Sequence, residues 1–407
     1  MLKNIDKKVV KNFSWALIGR IFAALCQTIG IVLLARWESI NNFGFVISIL
    51  AFSTVLIAFI DFGLNTFMIK ERARNINSNL VNYCVKINSN ITLFVGFVFF
   101  IIILFLSYFY NSFFFYMLPL TFWIIFEKRN EQLLGIYIAD GNNKKATQLL
   151  TLRRFLGIFL FVISFKLFNI NPTLAYSLSI LLSSVLLFRF TIKDLNLNLN
   201  LNFDYKLIEV LKKTFPYWIN SLFAQLRNID VTIVSIISTP IHAAYFGFIN
   251  RAVTPLNMVA TSMASVILPS VSKKEIKIEQ FYFYLIFTTI LASLPFLFLF
   301  FSVDILIPFA LGNKYIETIP LFKIICIGLI FFSASSIIAS ILQGTDLQKE
   351  VAKVNIISTS IYLIILIPFT YYGNSLYATY SLVFFFLFRF IFMGYYLIKQ
   401  KKETSEI

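Results

Sequence analysis

The stretch NFSWALIGRIFAALCQTIGIVLLARWESINNFGFVISILAFSTVLIAFIDFGLNTFMIKERAR, residues 12 to 74, decides the fold. It holds two apolar runs, 14–36 and 43–68, and a helix of about 20 apolar residues is long enough to cross a bilayer. Only Arg36 lies near the connection between them, whereas Lys3, Lys7, Lys8 and Lys11 precede the first run and Lys70, Arg72 and Arg74 close the second. Two crossings return the chain to its starting side. The basic residues gather there, as they do in cytoplasmic loops.

Reading outward gives ten further runs, at 87–109, 114–139, 146–168, 172–192, 215–238, 243–269, 281–303, 317–343, 351–372 and 375–398. The alternation continues along them. One side gathers Lys86, Lys144, Lys145, Arg153, Arg154, Arg189, Lys193, Lys206, Lys212, Lys213, Lys273, Lys274, Lys277, Lys349, Lys353, Lys399, Lys401 and Lys402, and the other holds only Arg36, Lys166 and Lys314. The expectation is an all-α integral membrane protein of about twelve transmembrane helices. It would lie in a bacterial inner (cytoplasmic) membrane, with both termini cytoplasmic and the first span retained, because the basic start runs straight into a span-length segment.

Composition excludes the soluble classes. Of 407 residues, 59% are hydrophobic and 13% charged, against about 25% charged in a soluble domain. The net charge of +16 would suit nucleic acid if it formed a patch, but these charges fall in short clusters between spans, so no nucleic-acid partner is expected. Cys26, Cys84 and Cys326 have no metal or disulfide spacing and read as packing residues. His242, alone in a short connection, reads as solvent-facing. No GxxxxGK[ST], HExxH or GxSxG stands in the chain, so no catalytic residue, metal or cofactor is expected. Transport would draw on a proton or sodium gradient, the membrane potential or the substrate gradient.

Shifting the sequence by 203 residues sets Trp15 on Trp218, Phe43-Gly44-Phe45 on Phe246-Gly247-Phe248, Lys70 on Lys273, Gly141 on Gly344 and Asn171 on Asn374. An even number of spans per half makes this a parallel repeat, with a substrate site expected between its lobes. The lobes would be 1–192 and 215–398, joined by a cytoplasmic linker, 193–214, and followed by a tail, 399–407.

Charges inside spans cost roughly 2.5–3.5 kcal/mol each on insertion scales and so favour a cavity over lipid. They are Arg20, Asp61, Glu127, Lys128, Arg129, Glu131, Arg227, Asp230, Arg251, Lys323 and Arg389, and the basic ones outnumber the acidic. Guanidinium and ammonium groups in a low-dielectric cavity attract phosphate oxygens. The Glu127–Glu131 cluster is a loop misread as a span, a neutralised knot with Glu131 on Lys128, or an anion contact through Lys128 or Arg129. Arg227 and Asp230 share a helix face, as a satisfied pair or a gated one. Arg20 either faces the cavity or snorkels to the interface. Asp61, Asp230 and Glu127 are the candidates for proton or sodium coupling.

Residues 12–74 combine a basic amphipathic start, a Gly-Arg in span 1, an FG entering span 2 and a DFGL before a basic loop. Residues 226–273, LRNIDVTIVSIISTPIHAAYFGFINRAVTPLNMVATSMASVILPSVSK, carry Asp230, a YFGF turn, Arg251 and a proline near the end of span 8. Together these resemble the polysaccharide-unit flippases of the Wzx type, in the multidrug/oligosaccharidyl-lipid/polysaccharide exporter superfamily. The resemblance implies an alternating-access transporter with a cationic central cavity. It would move oligosaccharide linked to undecaprenyl diphosphate, an O-antigen or other surface polysaccharide repeat of the kind used in lipopolysaccharide biosynthesis, from the cytoplasmic to the periplasmic leaflet. Partners would be the lipid-linked substrate, the bilayer and other surface-polysaccharide assembly proteins, with the chain itself a monomer. Arg20, Arg227, Arg251 and the pair Lys128 and Arg129 would line the cavity, and Arg389 is a further candidate there. Arg20 and Arg251 rest on the motifs, and the span 4 pair rests on burial cost alone. Rival readings are a multidrug or cation antiporter of the same fold, which would favour membrane carboxylates; a peptidoglycan-precursor flippase, whose relatives carry two further spans; and a membrane glycan-assembly enzyme such as a polymerase or acyltransferase, which would want larger extracytoplasmic loops.

Overall fold

The computed structural model describes residues 7–76, 78–195, 206–261, 278–345 and 347–405. The far end of span 8, the basic loop with Lys273, Lys274 and Lys277, and residues 196–205 of the 193–214 linker lie outside the described residues. The chain is all-α: α1 Lys7–Trp37, α2 Ile40–Ile60, α3 Leu64–Arg74, α4 Asn79–Phe109, α5 Leu118–Ala139, α6 Asn143–Phe168, α7 Pro172–Leu195, α8 Leu207–Leu226, α9 Asp230–Ile237, α10 Pro240–Ala252, α11 Ile278–Leu311, α12 Thr318–Gly344 and α13 Gln348–Ser405.

Among the described residues, eight helical segments are long and apolar enough to cross a membrane. The last is broken at Gly373 and Asn374, where backbone angles leave the helical region, and so supplies two crossings. Tyr362 before the break meets Phe385 after it, ring to ring at 5.2 Å, which folds spans 11 and 12 back on each other. α5 is as long, but Glu127–Glu131 puts charge in its middle. With α5, with α8 and α9 taken together, and with α10 and its helical continuation, the expected twelve are recovered. Large apolar side chains such as Phe94, Phe298 and Phe309 point outward, a surface suited to lipid and costly in water.

Two expected spans are interrupted. Span 2 ends as a helix at Ile60, Phe62 and Gly63 both take positive φ, and α3 restarts at Leu64. Span 7 is divided by a 3-10 turn, Arg227–Ile229, before α9 begins at Asp230. Both breaks bring a buried carboxylate to a helix end.

The helices divide into two compact units, one of Met1–Glu38 and Phe52–Gln225, the other of Ser39–Ala51 and Leu226–Ile407. In the first, α1 packs on α6, α6 and α5 on α7, and α3 and α4 on α5. Its core joins Leu64, Met68, Val81, Cys84, Leu133, Ile136 and Val210. α8 is set against the α2–α3 break. A Cβ on Gly63 would lie 2.4 Å from the Thr214 carbonyl oxygen, and the Trp218 indole donates to the Phe59 carbonyl at 2.9 Å. That carbonyl lies in the last turn of α2, where intrahelical donors run out.

In the second unit, α12 packs against α11 and α13, and α9 against α10 and α13. Ile338, Leu342, Val351, Val354 and Met393 form one core cluster. The first half of α2 is built into this unit. Phe43, Tyr245 and Phe248 surround the fully buried Tyr315 at ring separations of 6.2, 5.9 and 5.8 Å, and Thr232 donates to the Ser48 carbonyl at 2.9 Å. Both copies of the repeated Phe-Gly-Phe thus converge on one aromatic cluster. Two further repeat pairs also stand at junctions. Gly141 turns α5 into α6 at φ 74° and Gly344 ends α12; Asn171 accepts from the Thr173 amide at the start of α7, and Asn374 sits at the break in α13.

Candidate functional site

In the first unit the α2–α3 break delivers Asp61 to α5. Lys128 is 3% exposed, and its Nζ stands 2.8 Å from Asp61 Oδ1 and 2.6 Å from Glu131 Oε2. The Glu127–Glu131 cluster is therefore a knot centred on Lys128, held by two carboxylates where the sequence offered one. Arg129 donates to the Ser89 carbonyl at 3.1 Å and lies against the rings of Phe126 and Phe188. Glu127 Oε1 accepts from Arg153 at 3.0 Å and from Arg154 at 2.8 Å. Arg153 and Arg154 are corrections to the loop count: they stand well inside α6, and Arg153 is buried. Their depth within run 146–168 was the signal, overridden by their adjacency to Lys144 and Lys145. Arg20 is exposed on α1.

The second unit gathers its own group. Asp230 is 2% exposed. One carboxylate oxygen accepts from the Val231 amide at 2.7 Å and the other from the Tyr362 hydroxyl at 2.9 Å. Arg227 lies over the Phe386 ring at 5.7 Å, and it and Arg251 both act electrostatically on Asp230. Arg389 donates to Asn355 at 3.0 Å, stands over Phe332, and is close enough to Arg227 for the two to repel. Arg227 and Arg251 therefore share the neighbourhood of Asp230, and Arg389 lies beside Arg227. Tyr362 and Asn355 are partners the sequence reading missed, because neither polar type is unusual in a span. Tyr362→Phe should lower the stability of this unit by about 1.5–3 kcal/mol, as expected for a hydrogen bond to a charged group. Thermal unfolding in detergent measures it, and an unchanged midpoint would show that the bond is dispensable.

His242 is not solvent-facing: it is half-buried, with Nδ1 at 3.1 Å from Ser375 Oγ and its ring against Tyr245. Lys323 pairs with Asp304 at 2.7 Å, with both side chains partly exposed. The three cysteines are buried and unbonded. Among the described residues, no group of three or more His, Cys, Asp or Glu could hold a metal.

Residues 9–275 match the family model described as polysaccharide biosynthesis protein. The chain belongs to that family. A comparison with curated protein sequences finds no match. Solved structures show how this polysaccharide biosynthesis family member folds. An inward-facing multidrug resistance MATE family transporter of the MOP superfamily is similar at TM-score 0.69 and 14% identity, over 99% of this chain and 97% of that one. Lipid II flippase MurJ, in an inward closed conformation, is similar at TM-score 0.68 and 16% identity, over 94% of this chain and 86% of that one. A MOP superfamily transporter from Pyrococcus furiosus, described as having a binding pocket of reverse polarity, is similar at TM-score 0.65 and 14% identity, over 98% and 96%. The family member thus has the two-lobe, all-helical membrane fold of MOP superfamily transporters.

Proposed function

We propose that the chain is a flippase carrying oligosaccharide units linked to undecaprenyl diphosphate from the cytoplasmic to the periplasmic leaflet, with both termini in the cytoplasm of a bacterial inner membrane. The observation that carries this reading is the gathering of basic side chains in the second unit, with Arg227 and Arg251 near Asp230 and Arg389 near Arg227. A diphosphate offers oxygens on two phosphorus centres to forked guanidinium donors. Membership of a polysaccharide biosynthesis family supports a glycan cargo, and the fold shared with a lipid II flippase supports a lipid-linked one. Proton or sodium coupling falls to Asp230 first, because its carboxylate oxygens accept from neutral donors, the Val231 amide and the Tyr362 hydroxyl, whereas Asp61 and Glu127 sit in direct ion pairs. Arg20, being exposed on α1, is the further cation open to an incoming headgroup.

A multidrug or cation antiporter of the same fold would need carboxylates free to meet a cation, and the paired Asp61 and Glu127 speak against it. Deleting the gene should leave complete, unflipped units on the lipid carrier inside the cell. Complementation by Arg251→Gln or Arg389→Gln should restore at most about a tenth of the surface glycan at equal expression, a deficit equivalent to about 1.4 kcal/mol. Normal surface glycan after deletion would sink the proposal.

A further inference from the structure

We propose that Lys128 is a built-in cation that takes the place of an exchangeable coupling cation in the first unit, so that no ion from solution is loaded or released at Asp61. Residue type alone made Asp61 and Glu127 candidates for ion coupling, and the packing of α5 decides against both. Asp61 arrives from the α2–α3 break and Glu131 from α5 itself, and their oxygens converge on one point. Lys128 Nζ occupies it, 2.8 Å from Asp61 Oδ1 and 2.6 Å from Glu131 Oε2. Carboxylate oxygens from separate elements meeting at one centre are the surroundings that a hard metal cation takes. Here the centre is an ammonium on a four-carbon stem.

Tethering and burial make the occupancy permanent. An exchangeable ion diffuses away when its site empties, whereas this one stays bonded to α5. The Asp61 and Lys128 side chains are 5% and 3% exposed, so withdrawing the ammonium would strand a buried carboxylate, which is strongly disfavoured. Asp61 Oδ1 also accepts from the Asn65 amide in the first turn of α3, at 3.3 Å, where a negative charge favours the start of a helix. Glu127 follows the same rule, because its Oε1 accepts from both Arg153 and Arg154. Each of the three carboxylates set within spans of this unit thus has a resident side-chain cation. Asp230 in the second unit differs, with its oxygens on the Val231 amide and the Tyr362 hydroxyl. The assignment concerns the ion alone and holds for any cargo.

The test is a sodium titration of the purified full-length protein in detergent at constant ionic strength, with sodium replacing N-methylglucamine. It is read by thermal unfolding and by broadening of the ²³Na resonance. In Lys128→Ala the two carboxylates lose their ammonium, and sodium should raise the unfolding midpoint saturably, by roughly 5–10 °C more than in the wild type at about 100 times its Kd. Adding Asp61→Asn to that variant should abolish the excess. Asp61→Asn alone should leave the sodium response of the wild type unchanged, and this arm needs no lysine variant. Lys128→Gln, which keeps most of the volume and presents an amide oxygen, replaces Lys128→Ala if the alanine variant does not fold. The assignment is overturned if the lysine variant responds to sodium no more than the wild type does, if the excess survives Asp61→Asn, or if Asp61→Asn on its own removes a sodium response from the wild type.

Discussion

Lys128→Met removes about 3–5 kcal/mol from the first unit, the usual consequence of stranding one member of a buried ion pair. The methionine fills most of the lysine's volume, but Asp61, at 4% exposure, is left among the described residues with the Asn65 amide, at 3.3 Å. Glu131 suffers less, because half of its side chain is exposed. The identity of the lost interaction is checked by Asp61→Asn in the same background. If the Asp61–Lys128 contact carries the effect, the double variant recovers at least about 2 kcal/mol of the loss, since removing both charges avoids the orphaned carboxylate. Thermal unfolding in detergent reads both values. Additive losses from the two substitutions would show instead that Lys128 acts through Glu131 or through packing.

Gly44→Ala has a comparable effect on the second unit for a purely steric reason. A Cβ at Gly44 would sit 1.8 Å from the Pro240 carbonyl oxygen and 2.4 Å from its carbon. Both atoms belong to the backbone at the start of α10, so neither can swing aside and the helices must part. Overpacking of this kind costs about 1–3 kcal/mol and sometimes more. The repeat supplies its own control. For a Cβ at Gly247, the matching residue, the three nearest atoms are side-chain atoms of Val231 and Ile47, at 2.8–3.0 Å, which can rotate. Gly247→Ala should therefore cost less than Gly44→Ala, and equal midpoints for the two variants would refute the backbone contact as the cause.

The sequence carried the spans and the parallel repeat because both rest on long, redundant signals: runs of some twenty apolar residues and one offset shared by several pairs. It did not carry the breaks. Asp61-Phe62-Gly63 lies inside an apolar run, and only the positive φ at Phe62 and Gly63 shows that the helix stops there. The in-span charges were recognised by type, and the structure shows how they are shared out. Arg153 and Arg154 were masked by the lysines preceding them, and their proper partner, Glu127, is 26 residues from the nearer one. Asp230 stood out as a membrane carboxylate, but Tyr362, 132 residues away, could not be paired with it by spacing. Long-range partners of buried charges are set by helix packing, to which local pattern is blind.

The division of α2 between the two units also has a consequence for biosynthesis. Phe52–Ile60 can join its own unit as soon as the chain has been made as far as Gln225, whereas Ser39–Ala51, just ahead of it, packs with residues from Leu226 onward. At about 5–20 residues per second the ribosome needs on the order of ten seconds or more to reach them. Throughout that interval the Phe43, Val46 and Ile47 face has no Tyr315, Val231 or Pro240 to close on, and half of an already inserted helix must wait in the bilayer. The second unit is completed only when its oldest segment is recruited by its youngest ones.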